Sequence, residues 1–268
     1  MRKSLLAVAV AGAFALPVSV MAADAPAAAP AAPASPHTFT GNVGFATEYL
    51  YRGIAQTAGK PALQGGFDYS HASGLYAGVW GSNISWLENM GMSGASLEID
   101  VYGGYKAAFG ASDFGYDIGV LTYNYPGSLV SGATNPDTTE LYGALTWKFL
   151  TLKYSQSTSN LFGNANSKNS SYLELNAAYD LGDGWGVTGH VGSQKIKKVP
   201  GSVGDYSDYK LGVTKDLGFG VVGLAVSGTD AKDSCGSGEF YCFQQRPAGA
   251  FDYSAGKTKA VLSFTKTF

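Results

Sequence analysis

The chain has 268 residues and a formal net charge of −2, from 18 Lys or Arg and 20 Asp or Glu. This balance lacks the basic excess that nucleic-acid binding requires, so we exclude nucleic acid as a partner. Charged residues make up only 14% of the chain, whereas Gly numbers 37, Tyr 17 and Phe 14. Such a composition is unusual for a soluble domain and is typical of β-structure that faces lipid.

The N-terminus has the parts of a secretory signal peptide. Arg2 and Lys3 supply positive charge, residues 5–20 form an apolar run, and small residues flank the bond between Ala22 and Ala23. The run is short for a helix that must span about 30 Å of hydrocarbon, which disfavours a membrane anchor. We therefore predict cleavage after Ala22 and export through the Sec pathway.

Three regions follow from this pattern. Residues 1–22 are the predicted signal peptide, and residues 23–37 are rich in Ala and Pro. Repeated Pro favours an extended spacer without a packed core, here predicted to lie in the periplasm. Residues 38–268 then form one predicted β-barrel domain.

Alternation of apolar and polar residues recurs along this domain. It is clearest over residues 39–52, where Phe39, Val43, Phe45, Tyr49 and Tyr51 share one face. Strands of about ten alternating residues are the signal of a membrane barrel, weak singly and cumulative when repeated. Two segments, residues 75–84 and 221–226, are apolar on both faces and remain ambiguous.

The connections between these strands alternate between short and long. The short ones are predicted at residues 72–74, 111–113, 148–150, 182–184 and 216–218, and the long ones at 53–60, 85–95, 126–137, 160–170, 195–205 and 230–250. Short periplasmic turns and longer external loops are the arrangement of outer-membrane barrels. The fold class predicted is therefore all-β, a transmembrane antiparallel β-barrel of about 12 strands.

The alternative is a secreted soluble sandwich or lipocalin-like barrel, which turns its apolar face inward. The alternating loop lengths, the terminal Phe and an aromatic girdle near the strand ends favour the membrane barrel. The girdle candidates are Tyr49, Tyr51, Tyr123, Tyr125, Trp147, Phe149, Tyr179 and Trp185.

The last ten residues form a predicted closing strand. Leu262, Phe264 and Phe268 share its apolar face, which Lys266 interrupts near the end. A closing strand that ends in an aromatic residue is the expected signal for the barrel assembly machinery. The chain is thus predicted to reside in the cell outer membrane, in contact with its lipid and lipopolysaccharide.

The polar faces of the strands carry many ionisable residues, which we predict to line a lumen. Acids outnumber bases among them, which predicts a mild preference for cations. The alternative is that these groups pair and fill the lumen, since twelve strands fall between packed and open barrels. Arg52, followed by Gly53, is the best candidate for a constriction or for anchoring a loop. The candidates are Glu48, Arg52, Asp68, Glu98, Asp100, Lys106, Asp117, Glu140, Lys148, Lys153, Glu174, Asp180, Asp208 and Lys210.

No motif indicates catalysis or a cofactor. His71 and Ser73 have a spacing used by barrel lipid hydrolases, but they lie at a predicted turn and no acidic residue nearby shares the outward face, so we expect no enzyme. His37 and His190 are too scattered for a metal site. A lysine-rich run at residues 195–198 suits either lipopolysaccharide phosphates or a solvated loop.

Cys235 and Cys242 are the only cysteines, and both fall in the longest predicted loop. An exported chain meets an oxidising compartment, so we predict a disulfide between them. Free thiols at this spacing could bind metal, but two ligands make a poor site.

Three segments in the first part of the domain carry a family resemblance. They read EYLYRGIAQT at 48–57, PALQGGFDYSH at 61–71 and SGLYAGVWGSN at 73–83. Together they resemble the TorF family of proteobacterial porins. The resemblance implies an outer-membrane barrel that passes small solutes, and it brings no ligand residues.

The function predicted is passive diffusion of small hydrophilic solutes, without a cofactor. The alternative is a closed structural or adhesive barrel whose external loops bind partners. The sequence leaves the oligomeric state open.

Overall fold

A computed structural model describes residues 35–89, 92, 94–129, 131–243 and 252–268. The predicted signal peptide, its cleavage site at Ala22 and Ala23, and most of the spacer lie outside the described residues. His37, the last residue of the predicted spacer, already belongs to the first strand.

Twelve long strands form the wall within the described part of the chain. They are β1 (His37–Ala46), β2 (Ala62–His71), β3 (Leu75–Asn83), β4 (Leu97–Ala108), β5 (Phe114–Asn124), β6 (Thr138–Trp147), β7 (Leu150–Ser157), β8 (Ser171–Gly182), β9 (Trp185–Lys195), β10 (Tyr206–Asp216), β11 (Val221–Thr229) and β12 (Lys259–Thr267).

Every strand pairs antiparallel with its neighbours in sequence, and β12 pairs with β1 to close the barrel. At this seam Phe45 lies opposite Phe264, and the Phe268 amide donates to the Gly41 carbonyl at 2.8 Å. Closure pairs each of the twelve wall strands on both sides, so the wall has no free edge among the described residues. The predicted antiparallel barrel of about twelve strands is confirmed.

Short and long connections alternate as predicted. The short turns, at residues 72–74, 109–113, 148–149, 183–184 and 217–220, mark what we call the turn end. Six longer loops mark the loop end: L1 (47–61), L2 (84–96), L3 (125–137), L4 (158–170), L5 (196–205) and L6 (230–258).

The loops contain short regular elements. L2 holds the helix Trp86–Asn89, while L5 and L6 hold the 3₁₀ turns Pro200–Ser202 and Cys235–Ser237. Two-residue strands pair within L1, Leu50–Tyr51 with Ile54–Ala55, and within L6, Cys242–Phe243 with Tyr253–Ser254. None of the helices in the described ranges is long and apolar enough to cross a bilayer.

The wall is apolar outside and polar inside. Leu97 and Val101 of β4 are exposed on the outer face, whereas Glu98 between them is only 1% exposed. The ambiguous strand β3 follows the same rule, with Leu75 and Val79 exposed outside and Trp80 turned inward against Tyr49. This orientation is the reverse of a soluble barrel and rejects the lipocalin-like alternative.

The first strand is shorter than predicted. It ends at Ala46, and the chain then leaves the wall, so that Tyr49 is 3% exposed instead of facing outward. Arg52 and Gly53 have positive φ values of 46° and 75°, which turn the backbone into the small L1 hairpin. The alternation continues through residues 47–52 in the sequence, but in L1 both faces are buried, with Tyr49 and Leu50 in two different apolar clusters.

The prediction of an aromatic girdle is correct at one end of the barrel only. Trp147, Phe149, Tyr179 and Trp185 are exposed near the turn end. At the loop end the prediction is wrong, because the other four tyrosines pack inside: Tyr49, Tyr51, Tyr123 and Tyr125. These rings pack in one buried apolar cluster with other loop residues instead of facing the membrane interface.

Candidate functional site: the lumen and the loop that enters it

The inward positions of the turn-end half carry mostly small side chains. Because directly paired residues of antiparallel strands point to the same face, the register identifies these positions. They include Thr40, Gly115, Ala144, Thr146, Ala178, Thr188, Gly212, Thr214, Gly223, Ser263 and Thr265. Lys106 is a larger exception, and otherwise few bulky side chains project into this half of the lumen.

Tyrosines line the next level towards the loop end. The hydroxyl of Tyr102 donates to Asp68 at 2.5 Å, and that of Tyr76 donates to Asp117 at 2.5 Å and also meets Tyr142. Each ring lies against a glycine of an adjacent strand, where a Cβ atom would collide with it. These ring–glycine pairs are Tyr102 with Gly78, Tyr76 with Gly104, Tyr142 with Gly119 and Tyr172 with Gly192.

Arg52 of L1 reaches across the lumen to the wall. Its guanidinium makes two bonds to the Glu140 carboxylate, at 2.7 and 3.1 Å, and a third to Gln194 Oε1 at 2.8 Å. The ring of Tyr172 covers it at 4.1 Å. The Arg52 and Glu140 side chains are only 8% and 2% exposed, so the lumen is filled at this level. A planar guanidinium suits such bidentate, stacked contacts.

A second ion pair holds the other side of L1. Glu48 Oε2 lies 3.0 Å from Lys259 Nζ on β12, and Glu48 Oε1 accepts from Tyr253 of L6 at 2.5 Å. The backbone N–H of Gly59 donates to the same oxygen at 2.8 Å. L1 is therefore fastened to the closing strand and to L6. We call the Arg52–Glu140 and Glu48–Lys259 pairs together the L1 latch.

The tip of L1 also contacts β4. The Tyr49 hydroxyl donates to Glu98 Oε1 at 2.6 Å, and the Tyr51 hydroxyl meets that of Tyr123 at 2.6 Å. Near them, Asp100 Oδ1 is buried and has no hydrogen-bond partner within the described ranges. These buried polar contacts make L1 part of the lumen filling.

A polar cluster on β8, β9 and β10 continues the lumen wall. His190 Nε2 lies 2.8 Å from Asp208 Oδ1, and His190 Nδ1 lies 2.7 Å from Asn176 Oδ1 and 3.6 Å from Glu174. Tyr172 donates to the other Asp208 oxygen at 2.7 Å. His190 was absent from the predicted lumen set, although its position on the polar face of β9 could have identified it.

The structure places most of the predicted lumen residues inside the barrel. Glu48 and Arg52 belong to L1. On inward positions of the wall lie Asp68, Glu98, Asp100, Lys106, Asp117, Glu140, Lys153, Glu174, Asp208 and Lys210. Lys259 also faces inward and was missed, because its strand was interpreted only as an insertion signal.

Lys148 does not reach the lumen. It occupies the turn after β6 with φ 54°, is half exposed, and lies 3.8 Å from Asp113 in the preceding turn. The alternation of β6 stops where this turn begins, so extending it into the turn assigned Lys148 to the wrong surface. Asp180 lies at an inward position of β8, paired with Gly186, which in turn pairs with Thr214. It is exposed at the turn end and accepts the Gly182 N–H at 2.8 Å, which stabilises the turn.

The remaining candidates have local roles. Cys235 and Cys242 form a disulfide, which leaves no free thiol for a metal. His71 Nδ1 accepts from the Ser73 N–H at 3.1 Å and lies 2.8 Å from its hydroxyl, in an exposed turn. Lys195 pairs with Asp205 at 3.4 Å.

The closing strand presents its apolar residues outward. Leu262 and Phe268 are 50% and 70% exposed, and Phe264 shares their face. Lys266, which interrupts this face, lies 5.4 Å from the centre of the Phe268 ring.

Comparison with known proteins gives distant structural likenesses. No curated protein matches the sequence. NanC porin is 10% identical with a TM-score of 0.48, over 86% of this chain and 99% of that chain. An outer membrane channel from Pseudomonas putida F1 is 9% identical with a TM-score of 0.43, over 88% and 97%. Pseudomonas aeruginosa OprD is 12% identical with a TM-score of 0.41, over 86% and 66%.

We draw nothing about solutes from likenesses this distant. A family model, in contrast, matches residues 30–268, which cover the whole predicted barrel domain and part of the spacer. The chain therefore belongs to the Gcw_chp family, described as bacterial proteins of unknown function.

Proposed function

We propose that this protein is an outer-membrane channel for small hydrophilic solutes, closed at its loop end by L1. The observation that carries the proposal is the inverted barrel, with aliphatic and aromatic side chains outside and ionisable ones inside. A bilayer solvates such an exterior, and only a closed barrel satisfies the backbone within it. The TorF-family resemblance of residues 48–83 supports the same function.

The orientation in the membrane follows from the connections. Short turns belong to the periplasmic side and long loops to the outside. The chain would be exported through the Sec pathway after cleavage at Ala22, with the spacer at the periplasmic side. The outward face of Leu262, Phe264 and Phe268 would be recognised by the barrel assembly machinery, and the external loops would meet lipopolysaccharide.

A channel that is closed by a loop can open when the loop is released, whereas a barrel filled by the side chains of its own wall cannot. In the turn-end half the wall carries small residues, and the lumen is filled where the L1 side chains enter it. L1 is held by the two ion pairs of the latch, by hydrogen bonds such as that from Tyr49 to Glu98 and by apolar packing, and not by a covalent bond. Release of L1 would therefore open a path without any change in the wall.

Conductance across planar bilayers tests the proposal. Arg52→Ala removes the bidentate contact to Glu140, so we expect larger and longer openings than in the wild type. Acids outnumber bases along the lumen, so the reversal potential in a KCl gradient should indicate a mild preference for K⁺. Lys195→Ala is the matched control, because it removes one positive charge from the exposed end of β9, where Lys195 pairs with Asp205 of L5. If both the wild type and Arg52→Ala leave the bilayer silent, the channel function is rejected.

A closed structural or adhesive barrel is the second candidate. The burial of Arg52, Glu140 and Tyr172 favours it, since these residues fill the lumen at one level. The external loops would then carry the function by binding a partner. Liposome swelling separates the two candidates: a barrel whose loops bind cells or matrix while liposomes of wild type and Arg52→Ala fail to swell is adhesive.

A further inference from the structure

A cavity of about 400 Å³ lies among the loops at the loop end of the barrel. All six loops contribute to its lining, together with the adjoining ends of β9 and β10. Tyr51 and Gln194 line it and also contact the Arg52 guanidinium, so the cavity adjoins the L1 latch. A solute that approaches the lumen from outside would meet this cavity first.

The lining is aromatic, and none of its residues within the described ranges has an acidic or basic side chain. Eight of the lining residues are Phe, Tyr or Trp. Several stand edge to face, such as Trp86 with Tyr125 at 5.6 Å and Tyr206 with Tyr241 at 5.1 Å. Such rings offer both faces and edges to a flat ring placed among them.

The polar groups of the lining are mostly engaged already. Gln56 Nε2 donates to a backbone carbonyl at 2.9 Å, and Asn164 Nδ2 does so at 2.8 Å. Gln194 uses both ends of its amide, one for Arg52 and one for the Ser171 carbonyl at 3.0 Å. The Tyr241 hydroxyl donates to the Gly204 carbonyl at 2.6 Å.

These contacts decide between classes of ligand. A sugar would lose water from many hydroxyls and find few free partners, and an ion would lose its hydration without an opposite charge. A planar apolar molecule with one or two polar atoms would gain by burial against the rings. The volume is in the range of small-molecule sites.

We propose that this cavity binds an uncharged, planar aromatic small molecule of one or two rings. The binding site itself does not depend on the channel function. Only the view that the bound molecule is a solute for uptake rests on that proposed function. It changes the expected solute from a small hydrophilic molecule to an aromatic one that carries few polar groups.

Calorimetric titration of the folded full-length barrel in detergent tests this site. The probes are 2-naphthol, its charged counterpart naphthalene-2-sulfonate, and glucose. The variant Phe240→Ala/Phe243→Ala removes two rings from the lining. Phe219→Ala is the matched control, because its ring is exposed outside the barrel at the turn end. Partitioning of the probe into detergent micelles affects all samples alike.

We expect 2-naphthol to bind the wild type and Phe219→Ala equally and the double variant about tenfold more weakly, given the usual contribution of aromatic pairs. Naphthalene-2-sulfonate and glucose should bind the wild type at least about tenfold more weakly than 2-naphthol. The proposal is overturned if either of these two probes matches 2-naphthol, or if 2-naphthol binds all variants alike.

A further variant is used if the double variant does not fold. Heat-dependent gel mobility reports whether each barrel is folded, and if Phe240→Ala/Phe243→Ala is not, Ile196→Trp fills the same cavity with an apolar side chain. Ile196→Trp should weaken 2-naphthol binding at least as much as the double variant is expected to, and binding equal to that of the wild type overturns the proposal. No transport step enters the titration, so a barrel that binds but does not conduct refutes the channel and leaves the site standing.

Discussion

At the scale of single residues, glycine decides where the lumen tyrosines lie. A Cβ atom on Gly119 would come within 2.6 Å of the Tyr142 ring and 2.7 Å of the Gly103 carbonyl oxygen. Tyr142 in turn contacts the Tyr76 hydroxyl, and the Lys153 ammonium lies 4.2 Å from its ring. The glycine therefore positions a ring that several lumen side chains share.

The first prediction concerns Gly119→Ala. Because both a ring and a backbone oxygen stand in the way, we expect the free energy of unfolding in lipid vesicles to fall by about 1–3 kcal/mol, as for overpacked sites. Gly143→Ala on the adjacent strand is the control, since nothing lies within 4 Å of its Cβ position. Equal urea midpoints for the two variants would contradict the role assigned to Gly119.

At the scale of elements, L1 behaves as a separate part fastened to the wall. Glu48 joins it to Lys259 and Tyr253, and the Gly59 N–H depends on the same carboxylate. Removing one partner of a buried ion pair lowers the stability of the folded state by several kcal/mol, because the other charge stays buried without compensation. L1 should therefore loosen when Lys259 is neutralised.

Hydrogen exchange of the Gly59 amide measures this loosening. In Lys259→Gln we expect exchange at Gly59 to be at least about tenfold faster than in the wild type, since about 1.4 kcal/mol of lost protection has that effect. Lys195→Gln, which breaks an exposed pair worth at most about 1 kcal/mol, should leave Gly59 unchanged. Slow exchange in both variants would show that Glu48 does not depend on Lys259.

The same element shows what the sequence can predict. The strands follow from their period of two, and the inward position of residues such as Glu98, Asp117 and Glu140 follows from that period. The inward fold of L1 does not, because the alternation of residues 39–46 continues through Tyr49 and Tyr51 in a segment that has left the wall. Only Gly53 signals the turn, and it cannot show that the contact of Arg52 lies 88 residues away on β6.

At the scale of the whole molecule, one orientation governs every strand. Leu211 is 65% exposed on the outside of β10, while Thr214 on the same strand points into the lumen. Because side chains alternate along a strand, these two positions face opposite sides of the wall. The membrane makes the free-energy cost of a charge very different on the two sides. A charge near the bilayer midplane costs about 2–4 kcal/mol on the lipid face and little on the lumen face.

The corresponding prediction compares Leu211→Arg with Thr214→Arg. We expect Leu211→Arg to lower the folded fraction in vesicles strongly, whereas Thr214→Arg should fold like the wild type. The readout is the heat-dependent gel mobility of the barrel after folding into vesicles. A larger defect for Thr214→Arg would mean that the inside and outside of the barrel have been exchanged.

The order of the latch partners along the chain has a consequence for biogenesis. Arg52 needs Glu140 and Gln194, and Glu48 needs Lys259, the first residue of the strand that completes the ring. A growing barrel that still lacks β12 cannot fasten both sides of L1. Complete fastening of the plug therefore waits for the completed cylinder, and an intermediate without β12 can hold L1 on one side at most.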